Sequence, residues 1–314
     1  MINSLAIVGP TASGKTALSL AVAEHFGCEI VSCDSMQIYR EMNIGTAKAT
    51  TEEQAAVPHH LIDFIDPRES FSAQSYRALA MDAARNIAGR GRVPLFVGGT
   101  GLYIDSLIRL ENTESPEASE DYRKEMLKIA EREGGIDALW QRLFEVDPES
   151  AEKIHKNNVK RVIRALEIYD MTGRPKSWFD ARTKGKNPEL SVKMLTLDFH
   201  NRENLYERVN LRVDMMMEEG LLDEVRSLYD KGMLCPDTTS AQAIGYKEIV
   251  AYLEGKCTLD EAVEEIKLSS RRYAKRQLTW FRHEDDRIVL FVDKENGEMK
   301  TKSELVSEAI MLLT

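Results

Sequence analysis

The chain has 314 residues and a mass of 35.6 kDa, enough for one large domain or two smaller ones, and its 43% hydrophobic and 30% charged residues are those of a globular enzyme rather than a disordered chain. No stretch approaches the roughly 20 consecutive apolar residues that a membrane-spanning helix needs. A formal charge of −10 excludes a uniformly basic nucleic-acid coat, and Cys28, Cys33, Cys235 and Cys257, which form no Cys-x-x-Cys pair, predict reduced thiols rather than a zinc site or disulfides.

The first element is the apolar run Ser4–Val8, which ends in Gly9-Pro10 and reads as a buried parallel strand entering a turn. Helical periodicity covers Thr16 to His25, stopped by Gly27. A second strand, Glu29–Cys33, leads to Asp34, and residues 35–70 read as loop. A helix over 72–89 carries Ser72 as its cap, and a third strand, Val93–Val97, exits into Gly98-Gly99-Thr100-Gly101. This alternation predicts an α/β fold: a phosphate-loop NTPase-like parallel sheet core. Residues 111–191 show no strand pattern. They hold an acidic loop from Glu111 to Asp121 and helices near 122–133, 135–145 and 157–171, which predicts a helical insertion. Strand character returns at Val192–Leu197, and helices near 202–219, 221–231, 240–254, 259–282 and 302–313 complete the chain. The expected organisation is a catalytic core of 1–110 plus 192–314, its C-terminal part largely helical, and an insertion of 111–191.

Gly9-Pro10-Thr11-Ala12-Ser13-Gly14-Lys15-Thr16 fits G-x-x-x-x-G-K-[ST], with a strand before it and a helix after it. Glycines let the loop curl so that several N–H groups face one concavity; Lys15 adds charge for terminal phosphates, and the Thr16 hydroxyl is the Mg²⁺ ligand. The motif predicts a di- or triphosphate with Mg²⁺. A conventional NTPase also needs an apolar strand ending in a metal-binding acid. The candidate strand, Val93–Val97, ends in glycines instead, which weakens an ATPase reading. Because the loop begins at Gly9, no length is left ahead of it for a signal or transit peptide, so the expected location is the cytoplasm.

Asp34 falls at the carboxyl end of the second strand, the edge that lines the ligand crevice in open α/β sheets. It is a general base or metal partner on one reading and a turn cap on the other. At this level two activities stay open: a small-molecule kinase, and a transferase with a diphosphate leaving group.

Longer runs narrow the choice. Ile30–Tyr39, Asn43–Lys48, Pro58–Asp63, Gly98–Tyr103, Arg161–Glu167, Gly245–Glu248 and Ala274–Arg282 follow the phosphate loop in order. Together they resemble the bacterial tRNA dimethylallyltransferases, the tRNA isopentenyltransferase family, over about residues 4–283. The resemblance implies transfer of a dimethylallyl group from dimethylallyl diphosphate to N6 of the adenine 3′-adjacent to the anticodon. It makes Asp34 the base and gives Lys15, Thr16 with Mg²⁺, and Arg212 to the diphosphate. Ser35, Met36, Gln37, Thr100, Arg123, Gly245, Tyr246 and Lys247 are implied on the tRNA side. In the segment His155–Lys160 this chain departs from the family pattern by lacking proline.

The charge distribution suits a polyanionic partner. Residues 151–193 carry eleven Lys/Arg against five Asp/Glu, and residues 267–282 carry six Lys/Arg and no acid. Lys160, Arg161 and Arg164 on one helix, and Arg272 and Arg276 on another, are the expected tRNA contacts. Trp280 and Phe281 are expected in the core. A kinase, prenylation of free adenine nucleotides, and an RNA-binding nucleotide switch are the rivals; free nucleotides would not need the basic runs. The expected molecule is a monomer without membrane contact.

Overall fold

In a computed structural model of the chain, which describes residues 1–110, 116, 119–182, 185–236, 238–284 and 286–314, six strands form one all-parallel sheet. They are β1 (Ile2–Val8), β2 (Cys28–Ser32), β3 (His59–His60), β4 (Val93–Gly98), β5 (Leu190–Asp198) and β6 (Arg287–Phe291), in the order β3-β2-β4-β1-β5-β6. The helices of this unit are α1 (Lys15–Phe26), α2 (Thr51–Ala56), α3 (Ala73–Gly89) and α4 (Gly101–Ile108). The insertion supplies α5 (Glu120–Ala130), α6 (Gly135–Val146), α7 (Pro148–Lys153), α8 (Val159–Thr172) and α9 (Lys176–Arg182). After β5 come α10 (Arg202–Glu218), α11 (Leu221–Asp230), α12 (Tyr246–Leu253), α13 (Leu259–Phe281) and α14 (Lys302–Leu313).

The strands are apolar on both faces because helices cover both. Ile7, Leu95 and Leu195 pack with α1, α13 and α14 on one face; Ala6, Val8, Phe96 and Met194 pack with α3 and α4 on the other. This is the two-residue alternation of a strand. A third cluster joins α10, α11 and α12 to Ile38, Tyr39 and Met42 of the loop after β2.

The chain divides into two compact units, Met1–Ile108 with Glu189–Thr314, and Arg109–Pro188. The sequence boundary at 191/192 came late because β5 already pairs with β1 at Leu190. The second unit has its own core of Met126, Leu139, Leu143, Ile154, Val162, Ile163 and Leu166. Of the expected acidic loop, residues 111–115, 117 and 118 lie outside the described residues.

Four differences from the sequence reading have local causes. The "loop" 35–70 contains α2, closed by a capping box between Thr50 and Glu53, and the two-residue strand β3 on the sheet edge. α7 and α9 are six- and seven-residue helices, too short for a periodic signal. The expected helix 240–254 is a 3₁₀ turn, Ser240–Gln242, followed by Gly245 at φ 96° and then α12. β6, overlooked among the C-terminal helices, pairs with β5.

Candidate active site

The phosphate loop is clamped from outside. Gly9 adopts φ 146°, and a Cβ there would lie 2.8 Å from the Leu197 carbonyl oxygen, so only glycine lets β5 pass this close. The Ser13 hydroxyl donates to the Pro10 carbonyl at 2.8 Å, and Arg208 Nε donates to the Ala12 carbonyl at 2.7 Å. Gln277, buried on α13, accepts from the Thr11 N–H at 2.9 Å and donates to the Gly99 carbonyl at 2.8 Å. Gly9, Pro10 and Ser13 are buried and shape the loop. Thr11, Ala12, Gly14, Lys15 and Thr16 line a cavity of about 700 Å³. Gly14, at φ 91°, caps α1 without a side-chain acceptor, leaving the first N–H groups of the helix for an anion.

Two cations face that concavity. Lys15 Nζ donates to the Gly9 and Pro10 carbonyls, at 3.1 and 2.6 Å. Burial, and then the neighbouring Arg212 charge, push Lys15 down to about 7, with Asp34 opposing. Arg212, on α10, is likewise lowered by burial, against the pull of Asp34 and Glu219; its guanidinium makes no hydrogen bond or ion pair among the described residues. A desolvated cation without a protein partner is a place for a ligand anion.

Asp34 lines the same cavity, and its two oxygens have different tasks. Oδ1 accepts from the Met36 and Gln37 N–H groups at 2.8 and 3.4 Å, which caps the turn after β2. Oδ2 has no hydrogen bond among the described residues. The cap reading and the base reading therefore hold together, one for each oxygen. Across the strand ends, a Cβ on Gly98 would fall 2.2 Å from the Cys33 carbonyl oxygen. The Cys33 backbone, just past the end of β2, occupies the space where a strand-end acid would have to stand.

For a metal, no cluster of three His, Cys, Asp or Glu side chains occurs among the described residues. The Thr16 hydroxyl lines the cavity and makes no hydrogen bond among the described residues; of the two acids in the lining, Glu53 is held in the capping box with Thr50, which leaves Asp34. This sparse oxygen set fits Mg²⁺, which uses few protein ligands and completes its shell with water and phosphate oxygens.

Ser35, Met36, Gln37, Gly245, Lys247, Arg272 and Arg276 also line the cavity, with Lys247, Arg272 and Arg276 exposed. The Thr100 hydroxyl accepts from the Ser35 N–H at 3.0 Å. One expected contact is corrected. Tyr246 is completely buried, and its hydroxyl donates to Glu224 at 2.6 Å, so it supports the wall and offers no surface to RNA. Phe281 is buried, and Trp280, partly buried, packs over Gly101.

In the insertion, Lys160 and Arg161 are exposed at the start of α8 without an ion pair among the described residues. Arg123 and Arg164 differ: both bind the fully buried Glu167, at 2.9 and 2.6 Å, because a carboxylate at that depth must be paired. Glu167 offsets one of these two positive charges, so the cluster keeps a net positive charge, with both arginine side chains partly exposed. The Arg174 and Arg182 guanidinium carbons stack over the Trp178 ring at 4.1 and 3.6 Å from its centroid, a cation–π pairing absent from the sequence reading.

Two further residues of α13 belong to this site. Tyr273 lines the cavity; burial and the Asp34 charge push its phenol up to about 12. Gln277 stood unassigned within Ala274–Arg282, and the available signal was a neutral polar residue on the apolar stripe of a basic helix. Gln277→Ala is expected to raise the donor KM about tenfold and to lower stability by about 1 kcal/mol, since the half-buried Thr11 N–H loses its acceptor. Steady-state kinetics and thermal melts check both.

A model of the IPP transferase family matches residues 37–284, and an isopentenyl transferase model matches residues 2–64. The chain is 48% identical over 305 residues to a tRNA dimethylallyltransferase of Caldanaerobacter subterraneus subsp. tengcongensis, covering 97% of this chain and 95% of that one. It is 50% identical over 295 residues to a tRNA dimethylallyltransferase of Bacillus cereus, covering 93% and 90%. Among solved structures it resembles the tRNA isopentenylpyrophosphate transferase of Bacillus halodurans (TM-score 0.68, 44% identity, covering 100% of this chain and 97% of that one). It also resembles a eukaryotic dimethylallyltransferase acting on tRNA (TM-score 0.79, 30% identity, covering 93% and 74%). The six-stranded parallel sheet, the phosphate loop and the matches across nearly the whole length lead to one conclusion: the chain belongs to the IPP transferase family.

Proposed function

We propose that this enzyme transfers a dimethylallyl group from dimethylallyl diphosphate to N6 of the adenine 3′-adjacent to the anticodon of tRNA, releasing diphosphate. The observation that carries the reading is one cavity holding both an anion cradle and a carboxylate oxygen without a partner among the described residues: Lys15 and Arg212, likewise without one, on one side of the chemistry, Asp34 Oδ2 on the other. A kinase reading lacks its strand-end acid, for which Gly98 leaves no room.

N6 attacks the allylic C1 of the donor as the C1–O bond to the diphosphate breaks, and the N6 proton passes to Asp34 Oδ2. Lys15, Arg212 and the N–H groups at the start of α1 take up the charge that gathers on the departing diphosphate. Thr16 would hold Mg²⁺, which supplies further neutralisation of that charge when bound. Val213, Met216, Ile244 and Ile266 line the cavity with apolar surface that keeps the cation-like allylic carbon dry. The base must leave its stack to reach Asp34, which in an anticodon loop costs less than in a duplex.

Lys247, Arg272 and Arg276 form the exposed basic rim for the RNA backbone, and Lys160, Arg161 and the Arg174–Trp178–Arg182 stack suit the insertion to the same partner. The double variant Arg272→Ala/Arg276→Ala is expected to weaken tRNA binding and to lower the slope of log affinity against log salt by about two. An unchanged slope removes these residues from the interface. We read the working enzyme as a cytoplasmic monomer; no helix among the described residues is long and apolar enough to cross a membrane.

The test is an assay with two donors. Protein, Mg²⁺ and unmodified tRNA are mixed with labelled dimethylallyl diphosphate or labelled ATP, and the digested RNA is searched for N6-prenyladenosine by mass. Transfer from the diphosphate with ATP inert establishes the reaction. ATP hydrolysis or phosphoryl transfer without prenylation replaces it with the kinase reading.

A further inference from the structure

Between Met42 and Lys48 the chain has neither helix nor strand. Two turn hydrogen bonds close it on itself, Ala47 N–H to the Ile44 carbonyl and Lys48 N–H to the Asn43 carbonyl, both 2.9 Å. Its other ties are to side chains. The carboxylate of Glu224, on α11, accepts from three consecutive backbone N–H groups: Oε2 from Asn43 and Ile44 at 3.0 and 2.8 Å, and Oε1 from Gly45 at 3.2 Å. Oε1 also accepts the Tyr246 hydroxyl at 2.6 Å. The Tyr246 ring lies so close to Gly45 that a Cβ there would be 2.5 Å from Cε2. Farther along, Gln37 Nε2 donates to the Thr46 and Ala47 carbonyls at 3.2 and 3.1 Å. Gly45, Thr46 and Ala47 line the cavity; Glu224 does not.

We infer that Glu224 is a positioning residue that fixes the loop 43–47 as a wall of the donor pocket and thereby sets the length of prenyl chain the pocket admits. The inference rests on the prenyl-transfer reading. Four donors converge on one carboxylate, three of them from consecutive residues of a loop without regular structure. Removing that carboxylate frees the exposed Asn43 N–H to water and leaves the half-buried Ile44 and Gly45 N–H groups and the Tyr246 hydroxyl without their acceptor, so the segment must move or take in water. The wall then retreats where Ala47 adjoins the apolar lining of Val213, Met216, Ala243, Ile244 and Ile266. The phosphate end is insulated from this change, because Gln277 and Arg208 hold it and neither bonds to Glu224.

The experiment compares wild type, Glu224→Ala and Tyr246→Phe with dimethylallyl diphosphate and with the longer geranyl diphosphate as donors. Inorganic diphosphate serves as a competitive inhibitor that reports the phosphate end alone. In Glu224→Ala the KM for dimethylallyl diphosphate is expected to rise about tenfold with kcat changed far less, and the preference for the shorter donor to fall by a similar factor. The inhibition constant of diphosphate stays at the wild-type value. Tyr246→Phe, which removes one of the four bonds and keeps the ring, shifts donor preference in the same direction by a smaller factor and serves if the alanine variant does not fold. Diphosphate inhibition that weakens in step with the donor KM, or an unchanged donor preference in the variants that fold, overturns the inference and leaves Glu224 a residue of fold stability. Wild-type protein that transfers neither prenyl group overturns the functional reading instead.

Discussion

Asp34→Asn is expected to lose prenyl transfer by about 10²–10⁴-fold while binding tRNA with wild-type affinity. Asparagine is the informative substitution because it preserves Oδ1, the acceptor for the Met36 and Gln37 N–H groups, and so preserves the turn that carries Ser35, Met36 and Gln37 into the cavity. What it removes is the negative charge and basicity of Oδ2. Asp34→Ala removes both, and is expected to add a loss of tRNA affinity to the loss of turnover. The two variants therefore separate the cap from the base. Filter binding of an anticodon stem-loop gives the first quantity, and single-turnover transfer gives the second. Turnover in Asp34→Asn within a few-fold of wild type would assign the proton to another group.

Arg212→Ala is expected to cost about 10²–10³-fold in transfer, the usual scale for removing one charge-stabilising group from a water-poor site. Arg212→Lys is expected to rescue little, since a lysine cannot reproduce the planar fork. The pH dependence makes this prediction sharper. Burial and Arg212 together bring Lys15 to about 7, so the free enzyme loses the Lys15 proton as the pH rises through neutrality. Donor binding needs that proton, and affinity should fall between about pH 6 and pH 8.5 beyond the change due to the donor itself. In Lys15→Arg, charged throughout, this extra slope disappears. In Arg212→Ala one of the influences that lower Lys15 is gone, so its midpoint moves upward. Stability responds in the opposite sense to affinity. With the folded value near 7 and the ordinary value at 10.5, the unfolded chain binds more protons across that window, so folding gains as the pH rises through it and the cost of burying charged Lys15 is full below it. Diphosphate titrations and melts at matched pH values check both signs.

Much of the architecture was legible because it is written in local signals. Apolar runs ending in glycine located β1 and β4, and the single periodic stripe of Ala73–Gly89 with Ser72 ahead of it located α3. β6 was missed because Arg287–Phe291 is short and stands among helices; only its register against Met194–Asp198 makes it a strand. The charged residues show the same division. The sequence offers Arg123, Arg161 and Arg164 all as tRNA contacts. The fold separates them, since Glu167 is completely buried on α8 and recruits Arg123 and Arg164 while Arg161 stays exposed.

The sequence by itself determined the parallel α/β core, the phosphate loop and the family, because each depends on contiguous residues whose spacing follows backbone geometry. The tertiary structure alone decided which groups complete the site. Gln277 reaches the Thr11 N–H across 266 positions, Arg208 the Ala12 carbonyl across 196, and Glu224 the Asn43 N–H across 181. Side chains so distant along the chain leave no periodic trace at either end. Their partners are backbone groups, which every residue carries, so only the folded path of the chain selects which N–H or carbonyl each one meets.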